Sequence, residues 1–251
     1  MIKQYVKPPV IGSRESIQRA YYAKTAEDYQ SMHVHEDDEH TIALALLLSL
    51  LDIYNIKSIL DVGSGTGRAI SAITRARPDI FIRGVEPVVA LREVGYSTGI
   101  SREMLVDGDA RQLAFADGEF DLVCEFGVLH HIHKPDGAIS EMCRVARIGI
   151  FISDSNNFGQ GSLLSRFSKQ ALDKLCLWPF ANFIKTRGRG YTISEGDGLG
   201  YSYSVFNNFK QIRLKCDKIY IMNTSPGGSN IYKSAATVAL LGIKIDSSTA
   251  K

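Results

Sequence analysis

Apolar positions along the chain alternate between two periods, short unbroken runs and helical spacings, and this alternation predicts an α/β order. From Ser58 a short apolar run ends in an acid, Asp61, just before a glycine cluster, which predicts a buried strand; Ala69, Ile70, Ala72 and Ile73 then follow at helical spacing. Phe81 to Glu86 reads as a second strand stopped by Pro87, Val88 to Val94 as a helix ended near Gly95, and Met104 to Val106 as a third strand. Phe120 to Glu125 predicts the fourth strand, Val128 to Ile132 the start of a helix, and Ala138 to Val145 an amphipathic stretch. Ile148 to Ser153 predicts a fifth strand ending at Asp154. Upstream, Ser16 onward has helical spacing (Ile17, Ala20, Tyr21, Lys24), and Ile42 to Leu51 reads as a core helix. Downstream, Leu163, Leu164, Phe167, Leu172, Leu175, Leu177, Trp178, Phe180 and Phe183 are too apolar for a free linker, and Gly188 to Gly200 reads as a mobile glycine-rich loop. Alternation at Ile212, Leu214 and Cys216 predicts a strand, and Ala236 to Ile243 a buried final one, with Pro226-Gly227-Gly228 between them.

The glycine cluster narrows the chemistry. Gly63, Gly65 and Gly67 make G-x-G-x-G between a strand and a helix, the construction of a nucleotide site, where glycine lets the backbone approach a ligand. A dinucleotide fingerprint needs a small residue at the sixth place, and Arg68 stands there. Asp61 at the strand's end is also unsuited to a pyrophosphate; a carboxylate there suits a ligand with a cationic amine, such as S-adenosylmethionine.

Ser58 to Arg68 resembles motif I of the class I S-adenosylmethionine-dependent methyltransferases, in their small-molecule branch. Glu86, Asp107-Gly108-Asp109-Ala110, Phe120 to Glu125 and Val128-Leu129-His130-His131-Ile132 match the later motifs in order, over about Leu51 to Asp154. The resemblance implies a Rossmann-like doubly wound sheet of seven strands with an antiparallel last strand, plus a helical cap insertion. It implies S-adenosyl-L-methionine as cofactor and S-adenosyl-L-homocysteine as product. By the same resemblance Asp61, Gly63, Ser64, Gly65, Gly67, Glu86, Pro87, Asp109, Ala110, Glu125 and Phe126 bind the cofactor. Glu86 would accept from both ribose hydroxyls, Asp109 would meet the adenine amino group, and Glu125 the methionine end. The expected organisation is an N-terminal helical lid segment (1–40), the cofactor-binding core (41–155), the cap insertion (156–205), and a C-terminal helix and hairpin completing the sheet (206–251). The turn before the fifth strand departs from the family's Lys-Pro-Gly-Gly-like form, because Arg144-Val145-Ala146-Arg147 runs almost straight in.

Methyl transfer from a sulfonium is an in-line displacement, so holding the acceptor close is the protein's main task, and a hydroxyl acceptor also needs a base. His130 and His131 are the candidate bases and Asp154 the group that orients one of them; the competing reading has a histidine merely capping a helix. Tyr21, Tyr22 and Tyr29 are candidate substrate-binding lid residues, or else they pack the helix on the sheet rim. His33 to His40 is rich in ligand types, but no second cluster closes a site, and a solvated helix entrance is preferred to a metal.

Composition adds bounds. The 251 residues suffice for one large α/β domain, and 45% hydrophobic with 22% charged residues is ordinary for a soluble protein. A net charge of +2 gives no reason to expect nucleic acid. Cys124, Cys143, Cys176 and Cys216 form no C-x-x-C pair and read as reduced thiols; with no signal-peptide pattern at Met1 to Tyr5, a cytoplasmic protein is expected. The Ile42 to Leu51 run is too short to span a bilayer, and no membrane partner is expected. The expected activity is methyl transfer to a small-molecule acceptor, chosen as a hydroxyl of a sugar, nucleotide sugar or secondary metabolite. N-methylation, a silent cofactor-binding protein and a nicotinamide dehydrogenase are the alternatives.

Overall fold

The computed structural model describes residues 14–29 and 38–244. Helices α1 (Arg14–Thr25) and α2 (Glu39–Leu50) precede the sheet. Strand β1 (Ser58–Val62) leads through the glycine turn into α3 (Arg68–Ala76), followed by β2 (Phe81–Val85), α4 (Val89–Ser97), β3 (Leu105–Val106) and β4 (Phe120–Phe126). Helix α5 (Asp136–Val145) runs directly into β5 (Ala146–Ser155). Helices α6 (Leu163–Lys174) and α7 (Trp178–Lys185) and the hairpin β6 (Tyr191–Ser194) and β7 (Gly198–Tyr201) come next. Helix α8 (Phe209–Arg213), β8 (Lys218–Asn223) and β9 (Thr237–Ile243) finish the described chain.

Seven strands form one sheet in the order β3-β2-β1-β4-β5-β9-β8. Strands β1 to β5 are parallel, and β9 lies antiparallel between β5 and β8. This is the Rossmann-like arrangement with an antiparallel last strand that the sequence predicted. Both faces are covered, which is why the strands read as unbroken apolar runs. On one face Ile59, Leu122 and Phe151 pack against Leu44, Leu47, Ile70 and Ile73; on the other Leu60, Val123 and Ile150 meet Ile139, Met142 and Ile212. The strand order reverses at β1, between β2 and β4, so a crevice opens at the carboxyl ends there.

Glycine is required at two points of that crevice. Gly67 caps α3 at φ 84°, and a Cβ on it would lie 2.1 Å from Ile100. Gly84 on β2 makes room for the turn itself, since a Cβ there would lie 2.0 Å from the Ser64 hydroxyl. Arg68 does not pack inward; its guanidinium turns out to Asp38, which also caps α2 by accepting from the Thr41 N–H at 2.7 Å.

Four expected elements differ. Leu129–His131 is a single 3₁₀ turn rather than the start of a helix, and α5 begins only after Pro135, a residue suited to a first turn. Helix α4 continues through Gly95, where the missing side chain lets it sit close to Leu105 and the Thr66 carbonyl. The segment 188–200 is no open loop: it contains the β6–β7 hairpin, with glycines at positive φ at positions 188, 190 and 198. Ile212 and Cys216 are one helical turn apart and both buried, while Leu214 points outward, so the expected strand is helix α8 and the strand is Lys218–Asn223. Cys124, Cys143 and Cys216 are buried free thiols and Cys176 is an exposed one. Residues 33–37 of the histidine-rich run lie outside the described residues; Glu39 and His40 open α2.

Candidate active site

Two adjoining cavities lie at the carboxyl ends of the parallel strands. One, of about 310 Å³, is lined by Asp61, Ser64, Arg68, His40, His130 and Asp197 among others. The second, of about 130 Å³, is lined by Gly65, Glu86, Pro87, Asp109 and Ala110. Gly63, Tyr22, Tyr29, Phe126 and Gly127 border both.

Each strand end delivers one acid. Asp61, at the end of β1, is buried; it accepts from the Ser64 hydroxyl at 2.6 Å, with the Cys124 thiol 3.8 Å away. Burial pushes its pKa up to about 6 against those two donors. Glu86 follows β2 and accepts from the Gly65 N–H at 3.0 Å and the Val88 N–H at 2.8 Å. Burial raises it to about 7, opposed by the same N–H groups. A carboxylate has about four acceptor positions, so two remain beyond these N–H groups, and Glu86 lines the smaller cavity. Asp109 is occupied by cations: Arg19 of α1 at 3.0 Å and Arg111 at 2.9 Å. Burial alone would raise its pKa, but these guanidinium partners outweigh it and hold the carboxyl below its usual range.

The histidine pair sits on the 3₁₀ turn after β4. His130 Nδ1 lies 2.7 Å from Asp154, which is fully buried at the end of β5, and Nε2 lies 3.1 Å from Asp197 of the hairpin. Burial would lower the imidazole, but the two carboxylates reverse that and hold His130 well above its ordinary value. His131 differs. Its Nδ1 is 2.6 Å from the Leu199 carbonyl, which can only accept, and 3.1 Å from the Gln18 amide nitrogen; the shorter contact favours the proton on Nδ1 and the accepting role on Nε2. The Tyr22 hydroxyl sits 2.9 Å from that Nε2, with Asp197 Oδ1 at 3.3 Å. His130, His131 and Asp197 offer ligand atoms within 4.8 Å of one another, close enough to share a cation, and in this structure they bond directly to each other.

Of the residues expected here, Gly67, Glu125, Asp154 and Tyr21 do not line either cavity. Gly67 only shapes the turn. Glu125 is fully buried, accepts from the Val128 N–H at 2.8 Å, and leaves Oε1 without a partner; burial, then Asp154, keeps its pKa well above the carboxylate range. Tyr22 and Tyr29 border the cavities, the Tyr29 hydroxyl lying over Gly65, whereas Tyr21 donates to the Glu195 carbonyl on the hairpin. Sequence reasoning missed Asp197, Gln18 and His40. Gln18 donates to the Asp197 carbonyl at 3.1 Å and accepts from the Leu199 N–H, clamping the hairpin to α1. His40 reaches the Ser153 hydroxyl at 3.0 Å and faces the larger cavity.

The hairpin's hold on the site is expected to depend on pH, because His130, Asp154 and Asp197 bond to one another there. The stabilisation from His130, whose pKa is raised, is full below the ordinary imidazole value and lost as pH rises through the elevated one. That from Asp154 and Asp197, whose pKa values are depressed, is present above the ordinary carboxylate value and lost as pH falls through the lowered ones. The hairpin is therefore expected to be held most firmly at mildly acid to neutral pH and to loosen in alkali. Limited proteolysis within residues 190–200 at stepped pH checks this: cleavage should increase toward alkaline pH, and a pH-independent rate would contradict it.

Residues 60–152 match a family model described as a methyltransferase domain. A demethylmenaquinone methyltransferase of Roseiflexus sp. is 35% identical over 95 residues, 38% of this chain and 40% of that protein. The chain thus spans well under half the length of the curated relative it matches. Among solved structures, magnesium protoporphyrin IX methyltransferase from Synechocystis, with bound S-adenosylhomocysteine, superposes with a TM-score of 0.59 at 14% identity, covering 93% of this chain and 100% of the other. Phosphoethanolamine N-methyltransferase 2 of Haemonchus contortus, in complex with S-adenosyl-L-methionine, gives 0.63 at 15% identity, covering 96% and 62%. At these identities the structural likeness is one of fold.

Proposed function

Because residues 60–152 match a family model described as a methyltransferase domain, we propose that this chain transfers a methyl group from S-adenosyl-L-methionine to a hydroxyl of a small-molecule acceptor. The observation that carries the reading is the pair of adjoining cavities, one walled by the glycine turn, Glu86 and His131, the other reaching from Asp61 to His130. The residues present suit the cofactor. Glu86 has acceptor capacity for two ribose hydroxyls, Pro87 and Ala110 border the same cavity, and Asp61 is a buried acid for a cationic amine. When bound, S-adenosyl-L-methionine supplies an activated methyl group on a sulfonium.

The chain's own part is to orient the acceptor and take its proton. The Nε2 lone pair of His131 already holds one hydroxyl, that of Tyr22, and an acceptor hydroxyl exchanging with it would donate to the same nitrogen. Asp197 lies 3.3 Å from that nitrogen and would stabilise the imidazolium formed by proton removal. The Leu199 carbonyl beside Nδ1 favours the required tautomer. His130, flanked by two carboxylates, keeps its proton and locks Asp197 in position. The hairpin and Tyr22 would exclude water from the reacting atoms.

An amine acceptor is the second reading, favoured by the naming of similar proteins as N-methyltransferases, among them norajmaline N-methyltransferase of Rauvolfia serpentina. Incubation with methyl-labelled cofactor and matched hydroxyl and amine acceptor panels separates the two. Label in hydroxyl compounds is expected. Label confined to amines would favour the second reading, and cofactor binding without any labelled product would indicate a silent binding protein.

A further inference from the structure

The outer face of α6 and α7 is built the wrong way round for a protein surface. A surface helix ordinarily turns its apolar stripe inward and its polar side to water. Here Leu163, Leu164, Phe167, Phe180, Phe183 and Ile184 are each more than half exposed. Polar side chains take several of the inward positions. Lys169 is buried, and its ammonium donates to the carbonyls of Asn157 and Gln160, the latter at 2.8 Å. Gln170 donates to the carbonyls of Phe158 at 3.0 Å and Lys233 at 2.9 Å, and the Trp178 indole N–H donates to Ser202 at 3.0 Å. Specific hydrogen bonds therefore fix both helices with their apolar sides outward. Large apolar side chains exposed in such number mark an interaction surface.

Charge identifies what it meets. Residues 163–189 hold six basic side chains and one acid, Asp173, a net +5 inside a chain whose total is +2. Apart from the inward Lys169, the basic groups (Arg166, Lys174, Lys185, Arg187, Arg189) flank the apolar side chains on α6, on α7 and just beyond. Two copies of this face would set like charge against like. Residues 1–13, which carry Lys3 and Lys7 and no Asp or Glu, are no better complement. An anionic lipid surface matches both properties, apolar depth for the phenylalanines and leucines and negative headgroups for the cations. Among the described residues no helix is long and apolar enough to cross a membrane. Helices of 12 and 8 residues with one apolar face are instead suited to lying in the interface plane.

We propose that the α6–α7 face docks this protein on anionic membrane surfaces. The expectation of no membrane partner rested on the lack of a spanning segment, which leaves a flat-lying pair untouched. The proposal does not depend on methyl transfer, and it is tested without cofactor.

The test is co-sedimentation of the full chain with vesicles of phosphatidylcholine alone and of phosphatidylcholine mixed with phosphatidylglycerol. Binding to the mixed vesicles is expected, with little to the neutral ones, and added salt should weaken it. F180S/F183S should lower binding by about 10²-fold, because two buried aromatic side chains are lost from the bilayer. The pair is exposed, so an unchanged thermal melting curve verifies that this variant is folded. K185E/R187E should remove the preference for anionic vesicles. Equal binding to both vesicle types, no binding to either, or unchanged binding by F180S/F183S would overturn the proposal. So would light scattering that shows a dimer in water dissolved by F180S/F183S, which would assign the face to a second copy.

Discussion

Replacing Glu86 by alanine is expected to weaken S-adenosylhomocysteine binding by about 10²-fold or more, measured by isothermal titration on protein verified as folded by circular dichroism. Two hydrogen bonds from ribose hydroxyls to a buried carboxylate contribute roughly 1.5–3 kcal/mol each, and about 2.7 kcal/mol corresponds to 10²-fold. The same residue makes binding pH-dependent. Burial raises its pKa to about 7, and the ribose hydroxyls donate to the ionised form, so wild-type affinity should fall as pH drops through that value. Binding near or below it should release protons, detectable as a dependence of the titration heat on buffer ionisation enthalpy. Asp61, raised to about 6, should add a second loss at lower pH. An E86A protein with wild-type affinity would remove Glu86 from the cofactor site.

The second large effect concerns proton removal. His131→Ala is expected to lower kcat on a hydroxyl acceptor by ~10²–10⁴-fold, the usual range for loss of a general base, while cofactor affinity stays within a few-fold. Tyr22→Phe should cost far less, because it removes a hydroxyl that the acceptor displaces. Unchanged kcat in His131→Ala would leave orientation alone as the source of rate enhancement.

What could be read from the sequence was whatever is local. The glycine turn, the acids closing β1 and β2, and the adjacent histidines each declare themselves within a dozen residues, since strand, turn and ligand group are covalently close. Asp197 could not be read that way: it reaches His130 from 67 positions away, on a hairpin whose glycines look like loop. A Glu195-Gly196-Asp197-Gly198 tetrapeptide does carry a turn signal, but nothing local aims its carboxylate. That Glu125 lies outside both cavities could not be read either, because β4 is buried on both faces and alternation then gives no clue to which side a residue takes. The Ile212, Leu214, Cys216 pattern fits two periods at once, and only the outward Leu214 decides for a helix. Asp109 lay in the expected loop, yet its two arginine partners come from α1 and the same loop, a pairing that spacing cannot reveal.

Thermal denaturation with and without candidate cofactors tests the central claim most directly. A ligand at 100 times its Kd that binds only the folded chain stabilises it by about 2.7 kcal/mol. For a protein of this size that raises Tm by roughly 5–10 °C. S-adenosylmethionine and S-adenosylhomocysteine should both produce such a shift, and NAD should produce none. A shift with NAD and none with either methionine-derived ligand would contradict the account.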